Sequence, residues 1–146
     1  MIGVGIMVGM SGVGSAIGTA IGGQSVVGML KKRPEQFGSA MVLAAMPATQ
    51  GLYGFVGFII YNGKLQGIGP ELTIVQASVV LGAGIMLGLA ALLSGIHQGR
   101  VCAAGIAGIG SGHDVFGNTL ILGAFPEFYA ILALVSAILA QGLMVA

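Results

Sequence analysis

The chain has 146 residues, of which 56% are hydrophobic and only 6% charged, with a mean hydropathy of +1.04. Soluble domains carry about 25% charged residues, so this chain is expected to lie almost wholly in a lipid bilayer. A net charge of +1 argues against nucleic acid as a partner, and the single cysteine, Cys102, excludes an internal disulfide or a multi-cysteine metal site.

Met1 to Leu30 is apolar or small throughout. Thirty helical residues rise about 45 Å, enough for one transmembrane helix with overhang. The segment lacks a basic flank and a cleavage site, and it is too long for a signal peptide. Residues 31–36 (Lys-Lys-Arg-Pro-Glu-Gln) form a short polar turn, and Phe37 to Tyr61 is a second helix. Residues 62–71 read as a central loop, Leu72 to about Gly110 as a long third helix, 111–114 as a second turn, and Phe116 to about Val145 as the fourth helix. Three of the five basic residues sit in the first turn. The positive-inside rule therefore makes both short turns cytoplasmic and puts the termini and the central loop outside.

The chain repeats at an offset of 79: residues 3–9 (GVGIMVG) match 82–88 (GAGIMLG), Ser15 matches Ser94, Phe37-Gly38 matches Phe116-Gly117, and Pro47 matches Pro126. The expected fold is an all-α membrane protein of two tandem helical hairpins, residues 1–69 and 70–146. Both hairpins insert in the same orientation, a parallel repeat about an axis along the membrane normal. The first helix of each copy is rich in glycines at four-residue spacing, such as Gly14, Gly18 and Gly22, or Gly95 and Gly99. Such spacing lets helix backbones approach closely. Narrow helices on one side and bulky ones on the other (Tyr53, Phe55, Phe125, Phe128) make wedges, and wedges set side by side curve into a closed ring.

Between Asp114 and the C-terminus the only charged side chain is Glu127. A carboxylate at the centre of a membrane helix costs about 2.5–3.5 kcal/mol on insertion scales, which marks it as a functional site. Counted outward from the 111–114 turn, Glu127 and Gln98 are equally distant and share a depth. The repeat puts Ala48 at the same depth in the first hairpin, followed by Thr49 and Gln50. Thus Thr49, Gln50, Gln98 and Glu127 form one polar layer, and Tyr53, one turn further on, reaches the carboxylate. Pro47 removes the usual partner of the Leu43 carbonyl, and a distortion there would turn the Met46 carbonyl into the layer. An all-oxygen shell with one negative charge suits a hard monovalent cation. His97 is expected to pack or line a lumen, Arg100 to meet lipid headgroups or neutralise the inside of a ring, and Cys102 to pack as a small residue. There is no nucleotide-binding loop and no nucleophile with a base, so no catalytic residue is assigned.

Three blocks carry a resemblance over essentially the whole chain: residues 47–55 (PATQGLYGF), 94–101 (SGIHQGRV) and 127–132 (EFYAIL). They resemble the ring-forming proteolipid of V-type and archaeal-type rotary ATPases, in its duplicated four-helix form and in its sodium-translocating bacterial branch. The resemblance implies a Na+ site made of Thr49, Gln50, Gln98, Glu127 and the main-chain carbonyl of Met46, with Tyr53 steadying the glutamate. It implies a ring of identical subunits in a prokaryotic plasma membrane, turning against a membrane stator subunit that carries an essential arginine, with stalk subunits on the cytoplasmic side. The subunit itself would be non-catalytic. Ala48 and Phe128 depart from residues common in the family, glycine and a hydroxyl residue respectively. The alternatives are the same ring carrying H+ and, in a different class, a small four-helix secondary transporter, which would need a roomy aromatic cavity.

Overall fold

The computed structural model describes residues 1–144, and among these it contains helices and no strand. Four helical segments are long and apolar enough to cross a membrane. They comprise α1 (Ile2–Leu30), α2 (Phe37–Ala45) continued by α3 (Thr49–Ile68), α4 (Ile74–Gly110) and α5 (Phe116–Ala140). A 3₁₀ turn, Met46–Ala48, joins α2 to α3. A second one, Gln141–Met144, follows α5, and the expected helix end near Val145 lies outside the described residues.

The central loop is shorter than the sequence predicts. Residues 62–68 continue α3, and the chain leaves the helix only at Gly69, whose φ of 77° lies in the left-handed region. Asn62, Lys64 and Gln66 are polar but remain helical, so polarity alone did not mark the helix end. Glycine adopts that φ without steric cost, and Pro70 follows. The third helix starts at Ile74 rather than Leu72, because Thr73 and Gln76 form a reciprocal capping box. At the other end, the 31–36 turn is polar. There the Arg33 guanidinium donates to Glu35 at 2.6 Å, which lowers the pKa of that carboxyl.

The four spans pack with α1 against α4, α3 against α1 and α5 against α4. The α1–α4 contact is made glycine to glycine. A Cβ at Gly84 would strike the backbone of Gly3, one at Gly95 that of Gly14, and one at Gly99 that of Gly18. All three pairs are separated by 81 residues, so the two helices run parallel and in register. Two apolar clusters flank the middle of the bundle: Met7, Tyr61, Leu87 and Ala137 towards the 69–73 connector, and Leu43, Cys102 and Ile106 towards the short turns. Between them lie the fully buried amides Gln50 and Gln98.

Replacing Gly99 by Ala puts a methyl group into the Gly18 backbone, whereas Gly117 faces open space. Gly99→Ala is expected to destabilise the fold by about 1–3 kcal/mol through overpacking. Gly117→Ala is expected to be neutral or slightly stabilising. Thermal unfolding of the two variants in the same detergent measures the difference.

Candidate ion-binding site

The break in the second span is a consequence of Pro47. The ring nitrogen has no hydrogen to give Leu43, and the Met46 N–H donates to the Leu43 carbonyl instead. That i to i−3 bond tightens the chain into the 3₁₀ turn and turns the Met46 carbonyl towards Thr49. Thr49 then gives that carbonyl both its backbone N–H and its hydroxyl, the latter at 3.0 Å. The backbone distortion expected from the sequence is therefore present.

From Thr49 a continuous chain of polar contacts runs across three helices. Thr49 Oγ1 lies 3.4 Å from Gln50 Oε1, and Gln50 Nε2 donates to Gln98 Oε1 at 2.8 Å. Gln98 Nε2 donates to Glu127 Oε2 at 3.1 Å and to the Gly123 carbonyl at 2.9 Å. The Tyr53 hydroxyl donates to the other carboxylate oxygen at 2.7 Å. All six residues singled out in the sequence (Met46, Thr49, Gln50, Tyr53, Gln98 and Glu127) are thus brought together. Gln50 and Gln98 are completely buried, while Met46, Thr49, Tyr53 and Glu127 are half-buried at the outer surface of the bundle.

The arrangement leaves Glu127 with neutral donors and no cationic side chain. Across the described residues the ion pair formed is Arg33–Glu35, far from this layer. A carboxylate held by a phenol and an amide is aligned but not neutralised, so its charge needs either a proton or a cation. The oxygens of Thr49, Gln50, Gln98 and the Met46 carbonyl supply an uncharged acceptor set beside it. No group of three or more His, Cys, Asp or Glu occurs among the described residues; the polar atoms of the layer are oxygens and amide nitrogens with a single carboxylate among them.

The sequence did not assign Ser94 to this layer, although it is central to it. Ser94 Oγ donates to the Pro126 carbonyl at 2.7 Å and accepts from Gln50 Nε2 at 3.0 Å. Its repeat equivalent Ser15 makes the same contact, donating to the Pro47 carbonyl at 2.6 Å and accepting from Gly51 N. The signal was available: each serine precedes its proline by the same 32 residues. It was legible as part of the repeat but not as chemistry. His97 and Arg100 are exposed on α4 and take no part in the layer. Cys102 is buried, with Sγ 3.7 Å from Met46 Sδ.

The sequence model of the ATP synthase C-subunit family matches twice, at residues 2–61 and 81–140. The two matches are offset by 79 residues, the spacing of the internal repeat. Among known proteins, the chain is 37% identical over 138 residues to the K subunit of the A-type ATP synthase of Methanocaldococcus jannaschii, covering 94% of this chain and 59% of that relative. It is 39% identical over 126 residues to the K subunit of the V-type sodium ATPase of Enterococcus hirae, covering 86% of this chain and 78% of the relative. The 16 kDa proteolipid of the V-type proton ATPase from Nephrops norvegicus is 30% identical over 128 residues, covering 88% and 80%.

Ser94→Ala removes the second bond to the Pro126 carbonyl, which keeps its place in the α5 ladder, and strands one Gln50 amide hydrogen in a buried layer. The expected loss is about 1–3 kcal/mol. Ser78→Ala serves as the reference, since Ser78 is exposed and bonds only its own helix. Melting temperatures measured in parallel should fall for the first and stay within error for the second.

Proposed function

The chain belongs to the ATP synthase C-subunit family, and on that premise we propose that it is the rotor-ring proteolipid of a V-type or archaeal-type ATPase that carries Na+ at Glu127. The observation that supports this reading is the continuous polar chain from the Met46 carbonyl to Glu127, set between two apolar clusters. Met46 O, Thr49 Oγ1, Gln50 Oε1, Gln98 Oε1 and the Glu127 carboxylate are the proposed Na+ ligands, and Tyr53 orients the carboxylate. A relative of similar length is named a sodium ATPase subunit, which is in keeping with this donor set.

In the proposed cycle, identical subunits form a ring that turns against a membrane stator subunit bearing an arginine. That cation competes for Glu127 and releases the bound ion. Reloading restores a neutral site, and a neutral site passes lipid without the cost of a bare carboxylate, about 2.5–3.5 kcal/mol on insertion scales. The short turns at 31–36 and 111–114 face the cytoplasm and the stalk subunits, and the termini face outside, in a prokaryotic plasma membrane. The chain itself does no bond chemistry. Because Ala48 stands where the second hairpin has Glu127, each four-helix unit carries one ion. Fewer ions per turn favours ATP-driven pumping against a steep gradient.

A proton is the second candidate cargo. Relatives named as proton ATPase subunits keep 30% identity, and both Glu127 oxygens already accept bonds from neutral donors.

Carbodiimide labelling of Glu127 in the purified oligomer, across pH and with or without sodium, separates the two. Carbodiimides attack the protonated carboxyl. A sodium rotor is expected to be protected by millimolar or lower Na+ and not by K+. Gln98→Ala and Gln50→Ala should each raise the protecting concentration at least about tenfold, since one lost ligand costs on the order of 1.4 kcal/mol or more. Labelling that follows pH alone would reassign the cargo to H+. Glu127→Gln should abolish transport in either case, and a Glu127→Gln protein that still pumped would refute the assignment.

A further inference from the structure

A hydrogen bond has a direction, and in the polar layer two main-chain carbonyls of α5 set it. A carbonyl accepts and cannot donate. The Ser94 hydroxyl has one hydrogen, and the Pro126 carbonyl takes it at 2.7 Å. Towards Gln50, Ser94 therefore acts only as an acceptor, and Gln50 Nε2 faces it at 3.0 Å. Gln98 is oriented in the same way. Its two amide hydrogens go to the Gly123 carbonyl at 2.9 Å and to Glu127 Oε2 at 3.1 Å. Its oxygen then faces Gln50 and accepts the second amide hydrogen of that residue at 2.8 Å. With both hydrogens of Gln50 Nε2 committed, Gln50 Oε1 turns the other way, to 3.4 Å from Thr49 Oγ1. Thr49 gives its hydroxyl hydrogen to the Met46 carbonyl, and Tyr53 gives its own to Glu127. Every side-chain N–H and O–H of the layer is spent inside it, and the atoms left open are oxygens.

We propose that Ser94 is a positioning residue for cation binding, pinning the Gln50 amide so that the ion meets oxygen and no N–H. This inference rests on the sodium reading above and assigns a role to a residue outside the ligand set. An amide held by one hydrogen bond pivots about it, and a second bond stops the pivot. Gln50 has two such bonds, to Gln98 and to Ser94. Without the Ser94 oxygen, one amide hydrogen is stranded in a buried layer, where an unsatisfied donor is costly. The acceptors still open to it are Thr49 Oγ1 and the Glu127 carboxylate. Turning towards them carries an N–H into the ion site and takes Gln50 Oε1 away from it.

The repeat equivalent shows why this role falls to Ser94 alone. Ser15 also donates to a proline carbonyl, that of Pro47, but its oxygen is occupied by the Gly51 main-chain N–H at 2.6 Å. A main-chain N–H has no amide orientation to choose, so Ser15 braces the broken span and directs no side chain. In the second hairpin α5 runs unbroken past Pro126, and the oxygen of Ser94 is left for a side chain. Ser94 lies on α4, Gln50 on α3 and Pro126 on α5. One hydroxyl thus sets the amide of one helix against the backbone of another.

Protection of Glu127 from carbodiimide by Na+, in the purified oligomer, tests the role. Ser94→Ala is expected to raise the protecting Na+ concentration at least about tenfold. The pH midpoint of labelling in sodium-free buffer should stay where it was, because the bonds to Glu127 come from Tyr53 and Gln98. Ser25→Ala is the control for a lost bond between helices. Ser25 donates to the Ala103 carbonyl at 2.8 Å and takes no part in the layer, so its variant should be protected like the native chain. If Ser94 acts through Gln50, Ser94→Ala adds nothing to Gln50→Ala, whereas a general loosening of the bundle would add a second factor. Should Ser94→Ala fail to assemble, Ser94→Thr against Ser94→Val makes the comparison with and without a hydroxyl. The valine variant should then need at least about tenfold more Na+. Unchanged protection on loss of the hydroxyl, or an additive loss in the double variant, would overturn the role of Ser94 and leave the sodium reading standing. A native chain whose labelling follows pH alone would overturn both.

Discussion

The close approach of α1 and α4 is the constraint on which the rest of this bundle depends. Three glycine pairs, Gly3–Gly84, Gly14–Gly95 and Gly18–Gly99, bring two backbones together with no side chain between them. In a bilayer the hydrophobic effect gives helices little reason to associate, so close packing of this kind supplies the attraction. It also fixes rotation and height. With α4 seated against α1, Gln98 is at the level of Gln50 on α3 and Glu127 on α5. One added methyl group in that contact would therefore shift the relative height of three helices.

Proline supplies the second constraint, and the two hairpins use it differently. Each proline carbonyl is held by a serine from the preceding span, Ser15 for Pro47 and Ser94 for Pro126. Yet Pro47 breaks its helix into a 3₁₀ turn, while Pro126 sits inside a continuous α5. The break gives the first hairpin a turned Met46 carbonyl and a threonine to hold it. The second hairpin offers Glu127 instead. The duplicated unit has diverged: the first hairpin carries neutral oxygens alone, while the second carries Gln98 and the charge.

The burial of Gln50 and Gln98 shows how a polar layer is accommodated in an apolar bundle. Each buried amide hydrogen-bonds another side chain or a backbone carbonyl, so the layer does not carry the penalty of unsatisfied groups. The half-buried carboxylate is the member that the protein does not neutralise with a side chain of its own. That asymmetry supports an exchangeable ion at Glu127. A built-in lysine or arginine partner would have made the site permanently neutral.

Composition and the offset of 79 were enough to establish four spans, a duplicated hairpin and a single intramembrane acid, because hydropathy and self-similarity are local properties of the chain. Counting from the 111–114 turn paired Gln98 with Glu127, since an antiparallel hairpin ties sequence distance to depth. Other features required the folded chain. The end of α3 at Ile68 followed from the backbone geometry of Gly69, after a polar stretch that the sequence read as a loop. The place of Ser94 in the layer depended on which faces of α3 and α4 meet. The stagger of 81 between helices that repeat at 79 came from glycine packing. Two residues turn a helix by about 200°, so equivalent helices contact each other through nearly opposite faces. The order of residues determines which positions repeat and roughly how deep they lie; rotation about each helix axis is decided by close packing between helices, and that is a property of the tertiary structure.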